Sequence, residues 1–77
     1  MSGFVNITFD RQSNSRPTTI IGKVQKVTHV DFAHLVTGAV DAIAFVNAPD
    51  LTAFGNAILA INRVPGVLST NTNVAIS

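Results

Sequence analysis

The sequence predicts an α+β domain in which four strands and two helices follow one another in the order βαββαβ. Three observations lead to this prediction. Residues 3–10 and 68–76 alternate side-chain character with the period of two that is typical of half-buried strands. Apolar residues recur at helical spacing in two segments, after Pro17 and after Asp50. Turns containing Gly or Pro interrupt the pattern between several of these segments.

The first half of the chain predicts a strand, a loop, a helix and a second strand. Residues 3–10 form the strand, and the polar segment 11–16 lacks periodicity and forms the loop. Pro17 suits the first helical turn, with Ser15 just before it as a candidate N-cap. The apolar stripe of this helix comprises Ile20, Ile21, Val24 and Val27. Residues 29–36 alternate imperfectly, which favours a strand with a bulge.

The second half predicts a turn, a strand, a helix and a final strand. Gly38 supplies the backbone freedom of the turn, and the apolar segment 40–46 forms the strand. Asp50 is a good N-cap for the second helix. The stripe of that helix comprises Leu51, Phe54, Ile58 and Ile61. Arg63 lies in its last turn, and residues 65–66, Pro-Gly, end it.

In this order, with right-handed crossovers, the strands form one antiparallel sheet with both helices on one face, the ferredoxin-like arrangement. The 77 residues are predicted to form a single domain, residues 1–77. Only 12% of the residues are charged, about half the roughly 25% that is usual. Two helices cover one sheet face, and the strands carry few charges for the other. The sequence therefore predicts that two chains pack sheet to sheet.

Composition also bears on cofactors and location. The chain has no Cys, so it forms neither a disulfide nor a thiolate metal site, and no metal or cofactor is predicted. A net charge of +1 gives no strong field toward nucleic acid or an anionic membrane, so direct binding to either is not expected. The start has no visible secretory signal, and no apolar run approaches the about 20 residues of a membrane span. A cytoplasmic protein is the expectation.

Two histidines are candidates for catalysis or metal binding. His29 and His34 are five residues apart, which places them on opposite faces of a regular strand. They could share an ion only if a bulge intervened, and no Ser or Glu stands at a credible catalytic spacing. Catalysis by either is not predicted.

Three motifs in the second half resemble a known family. Residues 36–41 read Val-Thr-Gly-Ala-Val-Asp and match a V-T-G-x-x-D turn. Residues 64–67 read Val-Pro-Gly-Val, and residues 69–72 contain a T-x-T pair. Together these resemble the ligand-binding domain of Lrp/AsnC-type transcriptional regulators, also called the RAM domain. The chain looks like a stand-alone form without the helix-turn-helix DNA-binding domain.

The resemblance implies a dimeric α/β barrel, two sheets packed face to face, with several dimers joined into a ring. It also implies that small effectors, typically amino acids, bind between dimers near the V-T-G-x-x-D turn. Carried over by position, the ligand-binding residues are Thr37, Gly38, Asp41, Thr70 and Thr72. A carboxylate such as Asp41 pairs with an α-ammonium group, whereas turn N–H groups and a Thr hydroxyl hold an α-carboxylate.

Four of these five residues also have a purely structural interpretation. Asp41 can cap its own turn through a side-chain hydrogen bond, and Gly38 can serve the turn geometry alone. Thr70 and Thr72 lie on one strand face, where β-propensity explains them equally well.

The predicted function is an effector-binding and oligomerisation module, not an enzyme, that senses an amino acid or small metabolite. It takes part in transcription regulation through partners such as a full-length Lrp/AsnC-type regulator. One alternative is a small dimeric α/β-barrel enzyme of the monooxygenase type. The chain has no Tyr, Trp or Cys, so few side chains suited to catalysis are present for such an enzyme. The other alternative is a purely structural partner of a regulator.

Overall fold

The computed structural model describes residues 1–75 and has the element order βαββαβ. The elements are β1 (Ser2–Phe9), α1 (Pro17–Gln25), β2 (Val30–Leu35), β3 (Ala42–Asn47), α2 (Leu51–Asn62) and β4 (Val67–Val74). The predicted ferredoxin-like arrangement is therefore confirmed. Ile76, which the sequence placed at the end of the last strand, lies outside the described residues.

The strands form one antiparallel sheet in the order β2-β3-β1-β4. β1 is central and pairs with β3 through Val5 and Ala44 and with β4 through Val5 and Thr72. The register shifts once beside each edge strand. Asp31 is the extra residue in β2, which confirms the predicted bulge there, and Leu68 is the extra residue in β4.

Both helices cover the same sheet face and enclose the core. Alternation places Val5, Ile7 and Phe9 of β1 toward the helices, where all three are buried. The rest of the core comprises Ile20, Ile21, Val24, Ala33, Ala42, Ala44, Val46, Ala48, Phe54, Ala57, Ile61 and Val64. The prediction for α2 was wrong at one position, since Leu51 is 68% exposed. Ala57, which the predicted stripe did not include, is buried beside Phe54 and Ile61.

The two helix N-termini differ in capping. Asp50 caps α2 as predicted, because its side chain accepts a hydrogen bond of 2.8 Å from the amide of Ala53. Ser15 does not cap α1, and this prediction was wrong. The N-cap position is Arg16, with no side-chain hydrogen bond, and Pro17 begins the helix. The amide of Ser15 instead donates to Ser13 Oγ within the preceding loop.

The sheet face opposite the helices has no covering element in residues 1–75. We call it the open face; it comprises Phe4, Asn6, Thr8, Phe32, His34, Ile43, Phe45, Ser69, Asn71 and Asn73, which pair with one another across the strands. The strands contain no Lys, Arg or Glu, and their single Asp, Asp31, lies at the bulge. Antiparallel sheets that face water usually carry polar or charged side chains on the wet face. Within residues 1–75, neither helix is long and apolar enough to cross a membrane.

Candidate functional site

The turn between β2 and β3 projects from one end of the sheet. The amide of Val36 donates to the carbonyl of Asp41 at 3.0 Å, which closes the turn. The amide of Asp41 donates to Ile7 O at 2.9 Å, which ties the turn to β1. Gly38 has a φ of 123°, which other residues rarely adopt, so the turn conformation itself requires glycine here. Thr37 and Gly38 are exposed to solvent.

The carboxylate of Asp41 joins this turn to the loop after β1. Its Oδ2 accepts a hydrogen bond of 2.8 Å from the amide of Phe9, and its Oδ1 lies 2.8 Å from Arg11 Nη2. β3 begins one residue later, at Ala42. The Asp41 side chain therefore supplies a hydrogen-bond acceptor to β1 at a position where β3 no longer pairs with it. Asp41 therefore caps a neighbouring strand rather than its own turn.

Thr70 and Thr72 lie away from that turn. They pair with Ile7 and Val5 and so share the helix-covered face of the sheet. Thr70 Oγ1 donates to Asn62 Oδ1 of α2 at 3.0 Å. β1 separates β4 from β3, and two strand spacings of about 4.8 Å place Thr70 about 10 Å from the backbone of β3. One chain thus brings together Thr37, Gly38 and Asp41 but leaves the two threonines as a second group.

Arg11 is the member of this region that the sequence did not single out. Its guanidinium side chain is 82% exposed, whereas that of Asp41 is 17% exposed. Arg11 also lines a small cavity of about 160 Å³ together with Phe9, Asp10, Ser13, Ser15, Pro17 and Ile20. Thirty positions separate Arg11 from Asp41, and no local pattern connects residues so far apart.

A second cavity lies near the other end of the sheet. This groove of about 530 Å³ runs between the end of α1 and α2 and is lined by Lys26, Val27, Thr28, His29, Ala53, Asn56, Ala57 and Ala60. His29 has a φ of 74°, in the left-handed region that costs a non-glycine residue about 1–2 kcal/mol. His34, by contrast, lies on the open face. The histidines are therefore apart, and residues 1–75 contain no group of three potential metal ligands.

The open face carries a continuous row of aromatic rings. The ring centroids of Phe4 and Phe45 are 5.0 Å apart, those of Phe45 and Phe32 are 5.4 Å apart, and His34 stacks on Phe32 at 5.3 Å. Phe4 is 45% exposed and Phe32 41% exposed. Contiguous exposed apolar surface of this kind marks interaction sites.

The fold places this chain among the small ferredoxin-like α+β domains, and comparison with solved structures agrees. TTHA0845 from Thermus thermophilus is 23% identical, with a TM-score of 0.86 over 99% of this chain and 92% of that one. AsnC from E. coli is 18% identical, with a TM-score of 0.84 over 99% of this chain and 50% of that one. The transcriptional regulator NMB0573 from Neisseria meningitidis, solved as an L-Met complex, is 18% identical, with a TM-score of 0.83 over 99% of this chain and 49% of that one.

A sequence profile of the Lrp/AsnC ligand binding domain matches residues 2–77. The chain belongs to this family, as the three motifs predicted. The chain spans about half the length of the two regulators above and nearly all of TTHA0845. No curated protein sequence matches this chain at a significant level.

Proposed function

We propose that this protein is an effector-binding and self-associating module that senses an amino acid and takes part in transcription regulation through partner proteins. Membership of the Lrp/AsnC ligand binding domain family is the observation that carries this proposal. The predicted cytoplasmic location belongs to the same proposal. So does the prediction of a single domain over residues 1–77.

The β2–β3 turn is the proposed effector site, with Thr37, Gly38 and Asp41 as its ligand-binding residues. Support comes from the exposed residues of the turn and from the Asp41 carboxylate, which the amide of Phe9 holds in place. A carboxylate in a fixed orientation is a suitable partner for an ammonium group. NMB0573, a structural neighbour, was solved with L-Met, which makes amino acids the first ligands to test.

Thr70 and Thr72 are proposed as ligand-binding residues of secondary importance. They lie on the opposite side of β1 from the turn, and the Thr70 hydroxyl is already paired with Asn62. We therefore expect substitution of either threonine to weaken binding less than substitution of Asp41.

Self-association through the open face is the second part of the proposal. The aromatic row and the absence of Lys, Arg and Glu from the described strands make this face costly to leave in water. A second copy is the occupant that we propose, because its open face offers the same uncharged, aromatic surface. This packing would give the dimeric α/β barrel, and further contacts between dimers would give a ring.

The effector part is tested by thermal unfolding of the full chain in the presence of each of the twenty amino acids. A ligand at 100 times its Kd stabilises by about 2.7 kcal/mol, which raises the Tm of a domain of this size by about 10 °C or more. We expect one or a few amino acids to produce such a shift and Asp41→Ala to abolish it. If no amino acid raises the Tm, the sensing role is wrong and a purely structural role in a regulator assembly is favoured.

A further inference from the structure

The Arg11–Asp41 ion pair is the one salt bridge among residues 1–75. The two oxygens of Asp41 have different surroundings. Oδ2 is held by the amide of Phe9, which is part of the strand backbone. Oδ1 meets the guanidinium of Arg11 at 2.8 Å, through a side chain that is 82% exposed. Oδ1 is therefore the oxygen whose partner, the exposed Arg11 side chain, a ligand could displace.

The backbone beneath Arg11 is well anchored although its side chain is not. The amide of Asp10 donates to Gly66 O at 2.7 Å, and the amide of Gln12 donates to Asp10 Oδ1 at 2.9 Å. These bonds fix the residues on either side of Arg11. The guanidinium can then move about a fixed base, and exposed ion pairs of this kind contribute little to stability. Replacing the Arg11–Asp41 pair by contacts with a ligand therefore costs little free energy.

The pair presents an anionic and a cationic group side by side next to the exposed turn. A free α-amino acid carries the complementary arrangement, with an ammonium and a carboxylate group on the same α-carbon. The ammonium can replace Arg11 on Asp41 Oδ1, while the released guanidinium takes the carboxylate with two parallel hydrogen bonds. Of the five basic side chains, Arg11 is the one within ion-pair distance of Asp41.

We propose that Arg11 is a binding residue of the effector site and receives the α-carboxylate of a zwitterionic amino acid. This inference rests on the proposed function, because it assumes that the effector binds at Asp41. The ligand class is thereby narrowed to amino acids in which both backbone charges are free. An α-carboxamide lacks the anionic group, and an N-acetylated amino acid lacks the cationic one.

The test compares Arg11→Gln with Arg16→Gln in the full chain. Arg16 is the matched control, since it is an exposed arginine of the same loop that forms no ion pair within residues 1–75. The first ligand is the amino acid that most raises the Tm of the wild type, and the second is the α-carboxamide of that amino acid. Calorimetry measures the affinity of each variant for both. We expect Arg11→Gln to weaken binding of the amino acid at least tenfold. The affinity of Arg11→Gln for the carboxamide should be unchanged or higher, because the guanidinium no longer competes with the ligand's ammonium group for Asp41.

Three other outcomes would contradict the proposal. If Arg11→Gln binds the amino acid as the wild type does, Arg11 has no ligand role, while the proposed function stands. A second contradicting result is that Arg11→Gln weakens binding of the amino acid and of the carboxamide equally, while Arg16→Gln weakens neither. Arg11 would then only support the shape of the site. If the wild type binds no amino acid, the proposed function and this inference both fail. Unchanged thermal unfolding of unliganded Arg11→Gln confirms that the variant is folded.

Discussion

Gly38 and Gly66 both have positive φ, 123° and 99°, but their surroundings differ. A Cβ at Gly38 would meet no atom within 4 Å, so only the backbone conformation requires glycine there. A Cβ at Gly66 would lie 2.5 Å from Ile20 Cδ1 and 2.7 Å from Ile20 Cγ1. Gly66 thus allows the turn before β4 to pack directly against Ile20, one of the core residues of α1.

Alanine substitution should separate these two effects. Gly38→Ala should lower the free energy of unfolding by about 1–3 kcal/mol, the cost of an unfavourable backbone conformation. Gly66→Ala should cost about 1–3 kcal/mol more, because Ile20 must also move. Urea unfolding of the two variants measures the difference. Equal losses would show that Ile20 adapts at no cost.

Asp41 shows how far reasoning from a single residue reaches. The motif identified the residue, and Asp at a turn predicts a side-chain hydrogen bond to the backbone. Both partners of its carboxylate, Phe9 and Arg11, come from a segment about 30 residues earlier. That pairing follows from β1 lying beside β3, which local sequence does not reveal.

At the scale of elements, the two helices differ at their first turn. α2 has a capping carboxylate, and α1 has an arginine at the N-cap position with φ −78° and ψ 149°, an extended conformation suitable for a cap. An arginine there leaves the first amides without a side-chain acceptor and places a positive charge at the positive end of the helix dipole.

Cap exchange should change stability in opposite directions. Asp50→Ala should lower the free energy of unfolding by about 1 kcal/mol, because the amide of Ala53 loses its acceptor. Arg16→Asp should raise it by about 0.5–1 kcal/mol, since a carboxylate supplies the missing cap. Chemical unfolding at low salt measures both. A loss of stability in Arg16→Asp would indicate that the Arg16 side chain makes a favourable interaction elsewhere.

Periodicity located the elements but not every buried position. The stripe of α1 is confirmed for Ile20, Ile21 and Val24. In α2 the same reasoning included Leu51 and omitted Ala57, because a periodicity count favours large apolar residues over small ones. Which residues of a helix are buried depends on how the helix is positioned over the sheet, and helical spacing alone does not reveal that position.

At the scale of the whole molecule, the few charged side chains lie mostly away from the sheet. Arg11 and Arg16 lie in the β1–α1 loop, Lys23 lies in α1, and the open face carries Phe, His, Ile, Asn, Thr and Ser. The exposed rings of the open face support the proposal that a second copy covers it.

A charge on the open face should therefore prevent self-association. Phe32→Asp places a carboxylate within the aromatic row, and removing a ring that is 41% exposed leaves the buried core intact. Leu59→Asp is the control, because Leu59 is 54% exposed but lies on α2. Sedimentation at micromolar concentration should give a monomer for the first variant and a dimer for the wild type and the second. A monomeric wild type would refute self-association, and a dimeric Phe32→Asp would place the interface elsewhere.

The sequence by itself determined the number, type and order of the elements, the bulge in β2 and the cap of α2. Each of these depends on neighbouring residues, through side-chain alternation, helical spacing or a local hydrogen bond. The motifs also determined the family. Only the tertiary structure decided that Asp41 pairs with Arg11, that Thr70 and Thr72 lie across β1 from the turn, and that four aromatic rings form one row. Those contacts join residues that are distant in the chain, and only the strand order and register bring them together.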